Sequence, residues 1–495
     1  MVSAKNVVSW AAVAGMLAAL LFAWFLIRLT VDGWPALNSD AVLFVPAASR
    51  IADAEGWLFG VYTRLFLARE PHSWAFDLHG QIYPWLLAKL ARDGSYLAIH
   101  AAACWIAAAT ALLGYLALRM RLRAAGWRDW PASAAAFVLA AALAMISFAY
   151  VGRPEQLVPL LSCLCLGLRV HPSLRRSATF YGLEVGLIAA CSPAPAVLAG
   201  LIYANVVLLE SPERELFLRW TKLLIAAAMG WAFLVWTISP YSPLAVLLNT
   251  LNEAGSAHGA APLGRRFALQ MLAFRPDLPW VGLGFAALFC TLIAVHLATP
   301  MTHLKRTLGI ALLAMLLALV YLLALRTYTS QYVLVALSGL MMGVVLTEAS
   351  PPKPRWTQAL AVIAMALPAA GIAHFLERQQ DLQRWGDSRS NVATQVAELL
   401  QTAGPLDRIV FPDGELALMV LEDRPRRMLS VTNFSPELLN RVEKTLEVKV
   451  RWVFVPVHLA PEAPLGFRYL TTFSRQPERR DWQPNGYGVH VFERR

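Results

Sequence analysis

Between residues 7 and 375 the chain is a succession of long apolar runs separated by short connectors rich in arginine and lysine, and this pattern leaves it few ways to fold. In the hydrocarbon of a bilayer every backbone amide must find its partner inside the protein, so such runs become transmembrane helices. The runs cover 7–29, 98–118, 131–150, 157–168, 181–209, 223–238, 281–298, 308–325, 332–346 and 359–375. Run 181–209 is too long for one ordinary helix and is interrupted by Ser192-Pro193-Ala194-Pro195. Proline inside a helix removes a hydrogen bond and clashes with the preceding turn, so this run predicts two short helices with a tip between them. The total is about eleven helices. Run 7–29 follows a single lysine, Lys5, and lacks a small-residue cleavage site, which predicts a retained helix rather than a removed signal peptide.

The basic connectors give the orientation. Arg119, Arg121, Arg123 and Arg128 close the second helix; Arg169, Arg175 and Arg176 follow the fourth; Arg214, Arg219 and Lys222, then Lys305 and Arg306, then Lys353 and Arg355 mark later returns. Lys and Arg gather on the cytoplasmic side, so the amino terminus is expected inside and the carboxyl terminus outside. With 58% hydrophobic and 15% charged residues in 495, the formal charge of +11 follows from these flanks, and no nucleic-acid partner is expected. The cysteines Cys104, Cys163, Cys165 and Cys290 lie in apolar runs and Cys191 lies at the helix break, with no metal-type spacing and no expected pairing.

The same topology sends a few polar segments to the outer side. They are the loop 30–97 after the first helix, the turn Gly152-Arg153-Pro154-Glu155-Gln156, the long loop 239–280, the turn 326–331 and everything after 377. The domain reading is a membrane domain, 1–377, followed by an outer α/β domain, 378–495. In the latter, helix-like 391–402, 415–421 and 436–446 alternate with strand-like 408–411, 428–431, 450–457 and 488–492, which predicts a small, mostly parallel sheet. No glycine-rich nucleotide loop follows its strands, so docking or acceptor recognition is expected of it rather than catalysis.

An ionisable group at a membrane boundary is costly unless it meets protein or water, which makes Asp40 and Glu155 the candidate catalytic carboxylates. Asp40 also caps a predicted helix 41–52 behind Asn38 and Ser39, a role compatible with the first. Pro154-Glu155 is likewise a favourable helix start. Arg153 is either the partner of an acid or the ligand of a phosphate, which its planar donors suit. Within the first loop, Asp77, His79, Gln81 and Tyr83 stand among Phe76, Tyr83 and Trp85, the mixture of polar groups and aromatic faces that holds sugar hydroxyls. The rest of that loop, including Trp57, Phe59, Tyr62 and Leu65, predicts amphipathic surface helices. His258, Arg265 and Arg266 in the long loop, and Arg326 and Tyr328 in the last turn, complete the candidate substrate-binding set. There is no H-E-x-x-H and no clustered Cys/His spacing.

Taken in order, the first helix, an outer loop opening with Ser39-Asp40-Ala41 before an alanine-rich surface helix, the Tyr83-Pro84 element and the Gly-Arg-Pro-Glu turn resemble the GT-C superfamily. The likeness covers about the first 210 residues by motif and the later helices by layout. These multi-pass glycosyltransferases include the protein O-mannosyltransferases and the lipid A aminoarabinose transferase. The resemblance implies a polyprenyl-phosphate-linked sugar as donor and a cell-envelope glycan, lipid or protein as acceptor. It further implies a bacterial inner membrane location with the site facing the periplasm. Many members carry an acidic pair in the first loop, whereas Ala41 follows Asp40 here, so Glu155 is the natural source of a second acid. Some members use a divalent cation (Mg, Mn or Ca), a point the sequence leaves open. The rival readings are an O-antigen polymerase or ligase type of enzyme, whose key arginines and histidine would gather in one large late loop; a flippase, which would carry mid-helix charges and repeated halves; and a degenerate, non-catalytic member. Glu184 is the main charge inside a predicted helix, and no internal repeat is evident.

Overall fold

The structure is a computed structural model, and it describes residues 9–31, 41–57, 62–63, 75–124, 126–210, 213–257 and, towards the carboxyl end, 394–404, 407–411, 428–430, 439–440, 443–444, 447–456, 466–474 and 488–495. Helices α1 (Trp10–Val31), α4 (Tyr96–Ala124) and α10 (Glu213–Ile238) include segments long and apolar enough to cross a membrane. Between them lie α2 (Ala41–Ala52), α3 (Ile82–Leu90), α5 (Asp129–Ala149), α6 (Leu157–Leu168), the single turn α7 (Pro172–Arg175), α8 (Ala178–Cys191) and α9 (Pro193–Glu210). The break expected inside run 181–209 falls at Ser192, between α8 and α9. The runs from 281 to 375 lie outside the described residues, as do His258, Arg265, Arg266, Arg326 and Tyr328.

Small residues let these helices approach. Ala102, Ala103, Ala107, Ala108 and Ala111 of α4, with Ala132, Ala135, Ala136, Ala140 and Ala144 of α5, are all buried. Without a hydrophobic drive between helices in lipid, association rests on such close packing. Gly182 and Gly186, one turn apart on α8, take the backbone of α10 so closely that an added Cβ would strike the carbonyl of Leu223 or Ala227. The opposite surfaces carry large side chains: Leu17, Leu21 and Trp24 on α1, and Phe217, Leu224, Met229, Phe233 and Trp236 on α10, are exposed.

Two parts of the polar loops differ from expectation. Residues 243–257, expected in the long loop, form helix α11 (Pro243–Ala257); Pro243 suits a first turn, and the Ser242 hydroxyl accepts the Ala245 amide at 3.2 Å. Tyr62 and Thr63, expected on a surface helix, form strand β1, paired in parallel with β3 (Met428–Ser430). The sheet order is β1-β3-β2-β4-β6-β5, with β2 at Asp407–Phe411, β4 at Lys449–Pro456, β5 at Phe467–Ser474 and β6 at Gly488–Arg494. Its β1, β3, β2 and β4 run parallel, while β6, expected as a strand, pairs antiparallel with β4 and with β5, a strand absent from the expected pattern. The alternating Val450, Trp452 and Phe454 of β4 are buried, and Arg451 between them stacks on Trp452 and bridges to Asp407 at 2.9 Å. A long side chain that covers apolar surface with its stem and pairs its head fastens the strand twice.

Candidate active site

Gly80 is the meeting point of three segments expected on one side of the membrane. Its φ of +76° is one that side chains rarely adopt, and a Cβ there would lie 3.0 Å from the Phe44 ring of α2, the Pro154 ring and the Cys191 carbonyl at the end of α8. Glycine is what allows the first loop, the turn after α5 and the α8–α9 break to close on one another. The Phe44 ring, one turn into α2, also packs edge-on against Phe76, His79 and Tyr83 at centroid distances of 5.8, 6.2 and 6.3 Å. Asp40 lies outside the described residues, immediately before the first residue of α2. The far end of that helix is tied down, since Asp53 accepts the Gly94 amide at 3.1 Å and the Ser49 hydroxyl donates to the Gly94 carbonyl.

The turn after α5 is held from below. Tyr83 is fully buried; its hydroxyl accepts the Gly152 amide at 2.8 Å and donates to Gln156 Oε1 at 2.6 Å. Gln156 passes the chain on, donating from Nε2 to the Ala103 carbonyl at 2.5 Å, while its own carbonyl accepts from Ser147 at 3.0 Å. Burial pushes the Tyr83 phenol well above its ordinary range, so it is a neutral hydrogen-bonding strut, not a base. Gly152, at φ +91°, turns the chain so that Arg153 and Glu155 leave it in a short 3-10 turn, Pro154–Gln156.

Arg153 and Glu155 form a buried ion pair, 8% and 3% exposed, with Arg153 Nε donating to Glu155 Oε2 at 3.1 Å. The Ser192 hydroxyl donates to the other oxygen, Oε1, at 2.9 Å. Burial by itself raises the carboxyl pKa of Glu155. The Arg153 guanidinium, helped by a backbone amide and Ser192, outweighs burial and holds it below the ordinary carboxylate range. Glu155 is therefore an anion with both oxygens engaged. A carboxylate facing a guanidinium and a hydroxyl does not suit a divalent cation, and among the described residues no three Asp, Glu, His or Cys side chains gather as ligands.

Beside this corner, Gln81 is 1% exposed; its amide nitrogen donates to the Phe76 carbonyl at 3.3 Å and its Oε1 has no partner among the described residues. Asp77 accepts from Asn249 of α11 at 2.7 Å, and the Trp57 carbonyl accepts both the Tyr241 hydroxyl and the Phe76 amide at 2.9 Å. Asn249 and Tyr241 tether the first loop to the segment after α10, and sequence reasoning had singled out neither as a partner of Asp77 or Trp57. The signal for Ser192 was present, since it sits in the proline-broken run, but only as a helix break. The folding of the first loop over the turn and the break thus joins Tyr83 to the turn that carries Arg153 and Glu155 and sets His79 and Gln81 on either side of Gly80 where it meets that turn, while Asp77 is engaged with α11.

No protein-family model matches the sequence, and no curated protein does. Among solved structures, ArnT from Cupriavidus metallidurans, in a crystal structure bound to undecaprenyl phosphate, superimposes with a TM-score of 0.52 at 14% identity, covering 97% of each chain. The mycobacterial arabinofuranosyltransferase AftD, solved by cryo-electron microscopy, matches 96% of this chain at 15% identity with a TM-score of 0.47; this chain spans 39% of its length. The likeness to ArnT shows that this chain shares that protein's fold.

Proposed function

We propose that this membrane protein is a glycosyltransferase that moves a sugar from a polyprenyl-phosphate carrier to a cell-envelope acceptor on the outer face of a bacterial inner membrane. The observation that carries the reading is the junction at Gly80, where three outer segments of a GT-C fold close around the buried Arg153–Glu155 pair. The helices that end there are short. The turn and α6 together, Pro154–Leu168, and α8, Ala178–Cys191, have 15 and 14 residues. At 1.5 Å per residue each rises about 21–23 Å, against roughly 30 Å of hydrocarbon. With their basic ends at the inner boundary, their outer ends lie several ångströms short of the outer one. A site recessed in this way opens towards the bilayer, so that a carrier whose chain stays in lipid brings its phosphate in from the side.

In the proposed reaction Asp40 takes the proton of the acceptor hydroxyl as its oxygen forms a bond to the anomeric carbon. The bond from that carbon to the carrier phosphate oxygen breaks, and the polyprenyl phosphate leaves with the electron pair. Attack opposite the phosphate inverts the carbon. A positioned base contributes about 10²–10⁴-fold. Arg153, held as a fixed plane through its Nε, meets the leaving phosphate by charge-assisted bonds, with Arg265, Arg266 and Arg326 as further cationic candidates. Glu155 orients Arg153, and Gln81, with its open acceptor, receives a hydroxyl of the sugar. Asp77 and His79 are the candidates for meeting the acceptor, with His258 and Tyr328 as further candidates from the sequence, and the carboxyl-terminal sheet, which takes β1 from the first loop, contributes to acceptor docking.

Mass spectrometry of envelope glycans, glycolipids and glycoproteins from a deletion strain tests this, with complementation by the wild type and by Asp40→Asn. The expected result is one sugar decoration lost on deletion, restored by the wild type and not by Asp40→Asn at equal protein level. A deletion strain with an unchanged envelope refutes the transferase; full restoration by Asp40→Asn removes Asp40 from the mechanism.

A further inference from the structure

Helix α8 does not continue into α9. Pro193 has no amide to give the preceding turn, and Ser192 before it adopts an extended conformation, φ −152° and ψ 129°, while its own amide still donates to the Ile188 carbonyl at 2.8 Å. The residue thus belongs to α8 through its backbone and swings its side chain out of the helix. At 2% exposure, that hydroxyl donates to Glu155 Oε1 at 2.9 Å, and the neighbouring Cys191 carbonyl lies against Gly80. The proline break therefore has a consequence besides bending a helix. It presents a hydroxyl to one oxygen of a carboxylate whose other oxygen holds Arg153.

A carboxylate bonded through one oxygen only can rotate about its last torsion and let the guanidinium follow, since that sp³–sp² torsion is broad. Fixed at both oxygens, it presents Arg153 in one plane, and a guanidinium recognises phosphate through the direction of its N–H groups. We infer that Ser192 is a positioning residue, which orients the Arg153 guanidinium towards the carrier phosphate by fixing the Glu155 carboxylate from the α8–α9 break. This rests on the proposed role of Arg153 as a phosphate ligand. The competing role is purely mechanical, a staple holding α8 against the turn.

The test uses the full chain in lipid nanodiscs, with undecaprenyl phosphate as the probe, in wild type, Ser192→Ala, Ser192→Thr, Glu155→Gln and the Ser192→Ala/Glu155→Gln double variant. A hydrogen bond to a charged group predicts that Ser192→Ala weakens binding by about tenfold or more, that threonine restores it, and that alanine adds nothing once Glu155 is glutamine. A second measurement needs no ligand: melting temperature against pH. Losing the hydroxyl should move the acid-side midpoint upward in Ser192→Ala and not in Ser192→Thr. The other groups facing the pair, the Arg153 guanidinium, the Tyr83 phenol and the Cys191 thiol, do not titrate on the acid side. Independent, additive losses in the double variant, or an unmoved acid midpoint, overturn the positioning role and leave only a staple. A wild type that binds no undecaprenyl phosphate instead refutes the carrier-phosphate role of Arg153, and the acid midpoint then decides whether Ser192 fixes Glu155 at all.

Discussion

Glu155→Gln changes one atom of the corner and removes its negative charge. The side chains of Arg153 and Glu155 are 10% and 4% exposed, so water screens neither charge. Breaking a buried ion pair from one side costs about 3–5 kcal/mol, because the remaining charge is stranded. Glutamine keeps the size of the side chain, so no cavity is added, which places the expected loss near the lower end, about 3 kcal/mol. The loss has a pH signature whose sign follows from the lowered carboxyl pKa of Glu155. With its folded value below its unfolded one, the group stabilises the protein fully above the unfolded carboxylate range, near 4.3. That contribution disappears as the pH falls through the lower, folded value. Equilibrium unfolding in mixed micelles, followed by tryptophan fluorescence between pH 7 and pH 3, reads both effects. The wild-type minus Glu155→Gln difference should be constant above pH 5 and shrink towards zero in acid. A difference under about 0.5 kcal/mol at pH 7, the range of an ordinary surface substitution, would mean that the pair is not buried and ionised as described.

Tyr83→Phe deletes the hydroxyl that joins Gly152 to Gln156 and leaves a buried amide without its acceptor. It should lower stability by about 1–3 kcal/mol and release the turn that carries Arg153, seen as faster amide exchange at 152–156 with little change in the helices. At the other end of α6, Arg169→Ala strands Glu184 and should be strongly destabilising, about 3–5 kcal/mol, while the Arg169→Met/Glu184→Leu double variant should recover most of that loss. An additive double variant in the same unfolding assay would refute the pairing.

Much of this architecture was legible because the strongest signals were local. Helix 41–52 could be bounded by its cap and apolar run, the break at Ser192 by two prolines, and the turn at Arg153 by basic flanks on both sides of it. What escaped notice depended on partners distant in sequence. Tyr62–Thr63 has too little pattern to announce a strand, and becomes one only because β3, more than 360 residues later, offers a parallel edge. β5 is half exposed at Tyr469 and Leu470, so it lacks the buried alternation that marks β4. At the site, Asp77, His79, Gln81 and Tyr83 stand close together in sequence but serve differently. Tyr83 is spent on the backbone of the turn and Asp77 on Asn249, whereas Gln81 keeps an acceptor open. A composition suited to sugars could indicate the neighbourhood, but not the division of labour within it.

Arg169 and Glu184 show how a charge that seemed unrelated to the site bears on it. Arg169, which follows α6, is an inner-side flank by sequence, and Glu184 is the charge inside the next helix; in the structure they pair at 0% and 3% exposure. Tyr203 donates to Glu184 at 2.8 Å and stacks on Tyr181, and the guanidinium lies within 4.8 Å of both rings. Glu184 is eight residues before Ser192 along the same helix direction, about 12 Å. The chain from Glu155 through α6 to Arg169, and α8 from Glu184 to Ser192, are therefore joined twice, by Arg169–Glu184 at one end and Glu155–Ser192 at the other. Two fixed points remove both sliding and rotation of α8 against α6, where the apolar contacts between them would resist neither strongly, since lipid is as good a partner as a neighbouring helix. A buried ion pair adds little net stability when compared with a well-packed apolar substitute, but it permits only one register. Register is what the Arg153–Glu155 corner needs, because a shift of one residue along α8 would carry the Ser192 hydroxyl about 1.5 Å and turn it away from Glu155.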